Sequence, residues 1–67
     1  MVEITVNGKK RSLPPGTTVE RLLAELGLSG QPAAVEVNKS LVPKRRHAEQ
    51  ALADGDTVEV VTLVGGG

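Results

Sequence analysis

Few residues in this chain have the means to do chemistry. Its sixty-seven residues include no cysteine and one histidine, His47, which sits in the basic, polar stretch KRRHAEQ. No P-loop, no cluster of metal-ligating side chains and no nucleophile beside a base can be read along it. What remains is TVEVVTLVGGG, where an apolar strand runs into Gly65, Gly66 and Gly67. Three successive glycines with no turn or cap to serve add nothing to a fold, because each loses more backbone entropy on ordering than any other residue. They suit a flexible thread whose reactive group is the α-carboxylate of Gly67. From Leu63 to Gly67 such a thread reaches at most about 14 Å, at roughly 3.3 to 3.6 Å per residue. That length would carry the carboxylate off the domain and into another protein's active site. A narrow channel could enclose the bare backbone, and no β-carbon hinders the terminal carbonyl. The carboxylate itself is inert, since an α-carboxyl ordinarily ionises at about 3.3 to 3.7 and leaves an anion with no leaving group. Coupling it to AMP would neutralise the charge and install one. A sulfur nucleophile could then displace AMP and leave a thiocarboxylate on Gly67. Nothing in this chain can catalyse either step, so it reads as a protein co-substrate and not as an enzyme.

The body that holds this end must be small. A chain of this length makes one domain and buries only about 60% of the surface its unfolded form exposes. Eight basic and eight acidic residues cancel, which argues against nucleic acid or anionic lipid as a dominant partner. Aromatic content is zero, so the core must be aliphatic and the stacking platforms of single-stranded nucleic-acid binders are missing. No apolar run approaches the roughly 20 residues that span a bilayer, and Met1 leads into an alternating strand with no sign of a signal peptide. The absence of cysteine rules out a disulfide framework. The expectation is a soluble, cytoplasmic protein.

Periodicity supplies the elements. Val2, Ile4 and Val6 alternate, and Asn7-Gly8 is the pair that best tolerates positive φ in a two-residue hairpin turn, so a hairpin returning through Lys9 to Leu13 is predicted. Pro14, Pro15 and Gly16 end that strand. In TTVERLLAELG, Thr17 and Glu20 have capping-box spacing, and Val19, Leu22, Leu23 and Leu26 form an apolar helical stripe. With Gly27 at the left-handed cap and Leu28 as its apolar contact, the helix should run from Thr18 to Leu26. Val35 and Val37 mark a third strand and Ser40 to Val42 its partner. Lys39 tolerates positive φ poorly, which predicts a loop longer than two residues. KRRHAEQALADGD is loop-like with one helical turn at His47 to Leu52, and Asp54-Gly55 turns into the last strand.

One amphipathic helix needs one sheet face to cover its leucines. The result is an α+β domain over residues 1–64, a mixed sheet of four to five strands around one main helix. This is the β-grasp, or ubiquitin-like, fold, followed by a glycine tail at 65–67. The last strand should pair centrally, beside the first. Along it Val58 and Val60 share one face, while Glu59, Val61 and Leu63 share the other. With the first pair in the core, Val61 and Leu63 form an outer apolar patch that either docks a partner or is ordinary surface scatter.

The hairpin VEITVNGKK, the helix TTVERLLAELG, the strand AAVEVN and above all LADGDTVEVVTLVGGG resemble the family of sulfur carrier proteins of thiamine biosynthesis. The resemblance covers essentially the whole chain. It implies that Gly67 is adenylated by a ubiquitin-activating-type enzyme using ATP with Mg, that no cofactor is bound by the carrier itself, and that a sulfur donor enzyme completes the thiocarboxylate. Thiazole synthase then receives the sulfur. Gly66 and Gly67 match the family's functional end, Gly65 extends it, and Leu63 and Val64 stand where relatives carry bulky apolar residues, which marks Val61, Leu63 and Val64 for docking. Leucine at 63 in place of an aromatic is a mild departure.

Rival readings share parts of this pattern. The small subunit of molybdopterin synthase has the same fold and glycine end, but is longer and richer in aromatics. Carriers for cysteine or methionine synthesis or tRNA thiolation, and ubiquitin-like protein modifiers, use the same terminus. A β-grasp RNA-binding module would draw on the basic clusters Lys9, Lys10, Arg11 and Lys44, Arg45, Arg46, His47. Those clusters could meet phosphates or an acidic partner surface. As plain structure they are solvated residues guarding sheet edges.

Overall fold

The computed structural model describes residues 1–62. Strand β1 (Val2–Val6) and strand β2 (Lys9–Leu13) form the predicted antiparallel hairpin, pairing Val6 with Lys9 and Val2 with Leu13. Its turn is built by Asn7 at φ 49° and Gly8 at φ 83°, the left-handed pair that matches strand twist. Strands β3 (Ala33–Val37), β4 (Ser40–Val42) and β5 (Thr57–Thr62) complete a five-stranded sheet in the order β2-β1-β5-β3-β4. β5 is central, parallel to β1 and antiparallel to β3. Alternation along each strand sends Ile4, Val6, Leu13, Val35, Val37, Val42, Val58 and Val60 to one face. Helix α1 (Val19–Glu25) covers that face with Val19, Leu22 and Leu23. The fold is the expected β-grasp. Leu52, from the segment after β4, closes the same aliphatic core.

The helix start differs in detail from the capping box anticipated at Thr17. The N-cap is Thr18, in extended backbone, and its hydroxyl oxygen accepts from the Arg21 N–H at 3.2 Å. Thr17 is buried instead, its hydroxyl donating to the Pro14 carbonyl at 2.7 Å. The next free helix donors are met from afar, with Val19 N–H donating to the Gln50 carbonyl and Glu20 N–H to the His47 carbonyl, both at 2.9 Å. A local sequence rule could not show this, because the carbonyls lie some thirty residues downstream. The C-terminus is as expected: Gly27, at φ 78°, donates to Ala24 and Leu28 donates to Leu23, a Schellman motif that seats Leu28 against the core.

Two further expectations are corrected. The β3–β4 turn is two residues long, pairing Val37 with Ser40, even though Lys39 sits at φ 70°. The turn is locked from outside by Asn38, whose side-chain amide donates to Asp56 Oδ1 at 2.9 Å while its oxygen accepts from Thr57 N–H at 3.0 Å. Tertiary bonds thus hold a conformation that lysine disfavours. The helical turn comes earlier than His47, as a 3₁₀ turn over Lys44–Arg46. His47 leaves the basic surface altogether. It is 7% exposed, and its Nε2 lies 3.0 Å from the Val42 carbonyl. Since a carbonyl only accepts, Nε2 carries the hydrogen that is donated to Val42.

Candidate functional site: the root of the C-terminal segment

The candidate reactive end follows β5 in the sequence, and β5 is hydrogen-bonded on both sides. On one side β5 pairs with β3 through to Thr62, opposite Ala33. On the other, β1 runs parallel and ends at Val6, opposite Val58. The Asn7 side chain carries that ladder one step further: its amide donates to the Val60 carbonyl at 3.0 Å, and Val60 N–H donates to Asn7 Oδ1 at 2.8 Å. A primary amide has the donor and acceptor of a peptide unit, so Asn7 takes the place of the missing strand residue. At the opposite end, Asp54 and Asp56 anchor the entry to β5. Asp54 Oδ1 accepts from Glu3 N–H at 2.7 Å, and Asp56 Oδ2 from Ala53 N–H at 2.8 Å. Asp54-Gly55-Asp56 is therefore more than the turn read from the sequence, since it ties β1, the β3–β4 turn and β5 together. Side-chain hydrogen bonding of Asn and Asp is the only signal that pointed there.

The face assignment along β5 holds for the residues described. Val58 is fully buried and Val60 nearly so, while Val61 is 59% exposed on the outer face. Val61 lies opposite Ala34, and Glu59 lies opposite Glu36 on the same face. Leu41, on the edge strand β4 opposite Glu36, is also exposed, at 65%. Leu63, Val64, Gly65, Gly66 and Gly67 lie outside the described residues, and with them the expected tail at 65–67 and the expected docking residues at 63 and 64. Among the described residues no group of His, Cys, Asp or Glu is placed to hold a metal ion, and no helix is long and apolar enough to cross a membrane.

The two basic clusters are held apart. Lys9, Lys10 and Arg11 belong to β2, at one edge of the sheet, whereas Lys44, Arg45 and Arg46 follow β4, at the other. With His47 buried, the second cluster loses its fourth member. A continuous stripe of the kind that tracks a nucleic-acid backbone is not assembled.

The profile of the ThiS family matches residues 3–67. The chain belongs to the ThiS family. Its β-grasp body is similar to the crystal structure of the thiamine biosynthesis protein ThiS from Geobacter metallireducens, with a TM-score of 0.81 and 29% identity over 98% of this chain and 100% of that one. It is 38% identical to the sulfur carrier protein ThiS of Bacillus subtilis, over 96% of this chain and 98% of the relative. It is also 42% identical to a thiazole synthase of Paramagnetospirillum magneticum, over 98% of this chain and 20% of the relative. This ThiS-family chain thus spans about a fifth of the length of the thiazole synthases it matches.

Proposed function

We propose that the chain is the sulfur carrier of thiamine biosynthesis and that its working group is the Gly67 carboxylate. The observation that carries this reading is a ThiS-family match running through Gly67 on a body whose central strand is the last element before that end. In the proposed cycle an adenylating enzyme of the ubiquitin-activating type, using ATP with Mg, forms the Gly67 acyl adenylate and releases pyrophosphate. Hydrosulfide released by a donor enzyme attacks the acyl carbon, the carbon–oxygen bond to AMP breaks as the carbon–sulfur bond forms, and AMP leaves the thiocarboxylate behind. Thiazole synthase takes the sulfur for the thiazole ring, a role supported by two thiazole synthases that carry a segment similar to this whole chain. The chain holds no cofactor of its own in this scheme and works in the cytoplasm. Its share of the chemistry is presentation: β5 is clamped on both sides, so the span from Thr62 to Gly67 starts from a defined point. Val61, Leu63 and Val64 meet the partner at that point.

The test is intact and fragment mass after incubation with ATP, Mg, the activating enzyme and a sulfur source. Replacement of one oxygen by sulfur, localised to Gly67, is the expected product, and removal of Gly66 and Gly67 abolishes it. Fragmentation is required because the same nominal mass arises when Met1 is oxidised. An isopeptide-linked glycine remnant on other proteins, with no thiocarboxylate, would instead identify a protein modifier.

A further inference from the structure

Because β1 stops at Val6, β5 overhangs it beyond Val60, and a groove of about 530 Å³ opens beneath the overhang. Its floor is apolar, formed by Leu26 at the C-cap of α1 and Leu28 just beyond it together with Val60, and Thr62 closes it at the root of the C-terminal segment. Lys9 and Arg11 wall it from β2. They stand opposite Val6 and Ile4, which puts them on the helix side of the sheet and not its outer face. Among the described residues the ion pairs are Arg21 with Glu25 and Arg46 with Glu49, so neither Lys9 nor Arg11 has an acidic partner there. Guarding the β2 edge accounts for charge on that strand, but guarding has no use for a leucine-lined floor.

We infer that this groove receives an acidic, leucine-bearing segment of the enzyme that acts on Gly67. The inference rests on the carrier reading in one respect, the position of the partner. From Thr62 to Gly67 the extended chain spans at most about 18 Å, so an active site holding Gly67 brings its own surface over the groove. Charge complementarity then selects the chemistry: carboxylates to meet Lys9 and Arg11, and an aliphatic side chain for the floor. RNA fits less well, since the chain has no aromatic residue for a base to stack on and a formal net charge of zero.

Titration of the isotopically labelled full chain with a synthetic peptide of alternating glutamate and leucine decides the matter. The expected result is shifts of the Lys9, Arg11, Leu28, Val60 and Thr62 amides that fade with added salt, and at least a tenfold loss of peptide affinity in Lys9→Glu/Arg11→Glu. Lys9→Glu alone, at an exposed position, gives the same direction should the double variant fold poorly. Absence of shifts, shifts confined to another face, or tighter binding of oligouridylate overturns the proposal. In the adenylation assay the same variants raise KM for the carrier about tenfold and leave kcat in place; an unchanged KM also overturns it. If the wild-type chain is never adenylated, the carrier reading fails, while the peptide titration still judges the groove.

Discussion

Asn7 and Val60 exchange two hydrogen bonds, side chain to backbone, at 3.0 and 2.8 Å across 53 positions of sequence. The turn residue of the first hairpin therefore doubles as a rung of the central ladder, holding the strand that leads to Gly67. Asn7→Gly isolates this role, because glycine accepts φ 49° without strain. The expected loss is about 1 to 3 kcal/mol, from leaving two half-buried backbone groups without partners. Denaturant unfolding measures it, and amide exchange at Val60 should quicken. A stable Asn7→Gly variant with protected Val60 would contradict the clamp.

Leu22 is fully buried between α1 and the sheet. Leu22→Ala should cost roughly 2 to 5 kcal/mol by opening a cavity in a core with little reserve. In a domain this small that is much of the stability available. Thermal melts should show it, and unchanged melting would mean the helix stripe does not form the core.

Lys39 occupies the left-handed region while Asn38, beside it, is held by Asp56 and Thr57. Lys39→Gly relieves a steric cost of about 1 kcal/mol, so the variant should melt several degrees higher. Asn38→Gly gives the opposite sign, since it removes the anchor. Equal effects of the two substitutions would show that the turn is not held in this way.

Glu36 and Glu59 face each other across β3 and β5 on the outer surface. Like charges directly opposite destabilise a sheet, so Glu59→Gln should gain about 0.2 to 1 kcal/mol. The gain should be larger at low salt than at high salt, where screening already weakens the repulsion. Melting curves at two ionic strengths provide the check.

Val61 is exposed, and Val61→Asp is expected to cost under about 1 kcal/mol of stability. Under the proposed carrier cycle its effect belongs to docking: affinity for the adenylating enzyme should fall by more than the fold is weakened. Leu63→Asp tests the same face by sequence alternation. Unfolding without loss of affinity would place these residues in the core.

Local pattern alone determined the elements. Alternation, the Asn7-Gly8 pair, the leucine stripe and the Gly27 cap each act within a few residues, so a hairpin, a helix and the valine faces of β5 were legible without coordinates. The single helix required a sheet to cover it, and the glycine run makes Gly67 the candidate reactive end. What tertiary structure decided was the set of contacts that join residues far apart in sequence. The cap donors of α1 are met by His47 and Gln50 because the segment after β4 returns there. Lys39 is held at positive φ because Asp56 and Thr57 fasten Asn38, and His47 turns from surface base to buried donor because Val42 presents it a carbonyl. Composition carries no information about which distant carbonyl or carboxylate will arrive. That is settled only when the chain closes and every buried polar group must find a partner.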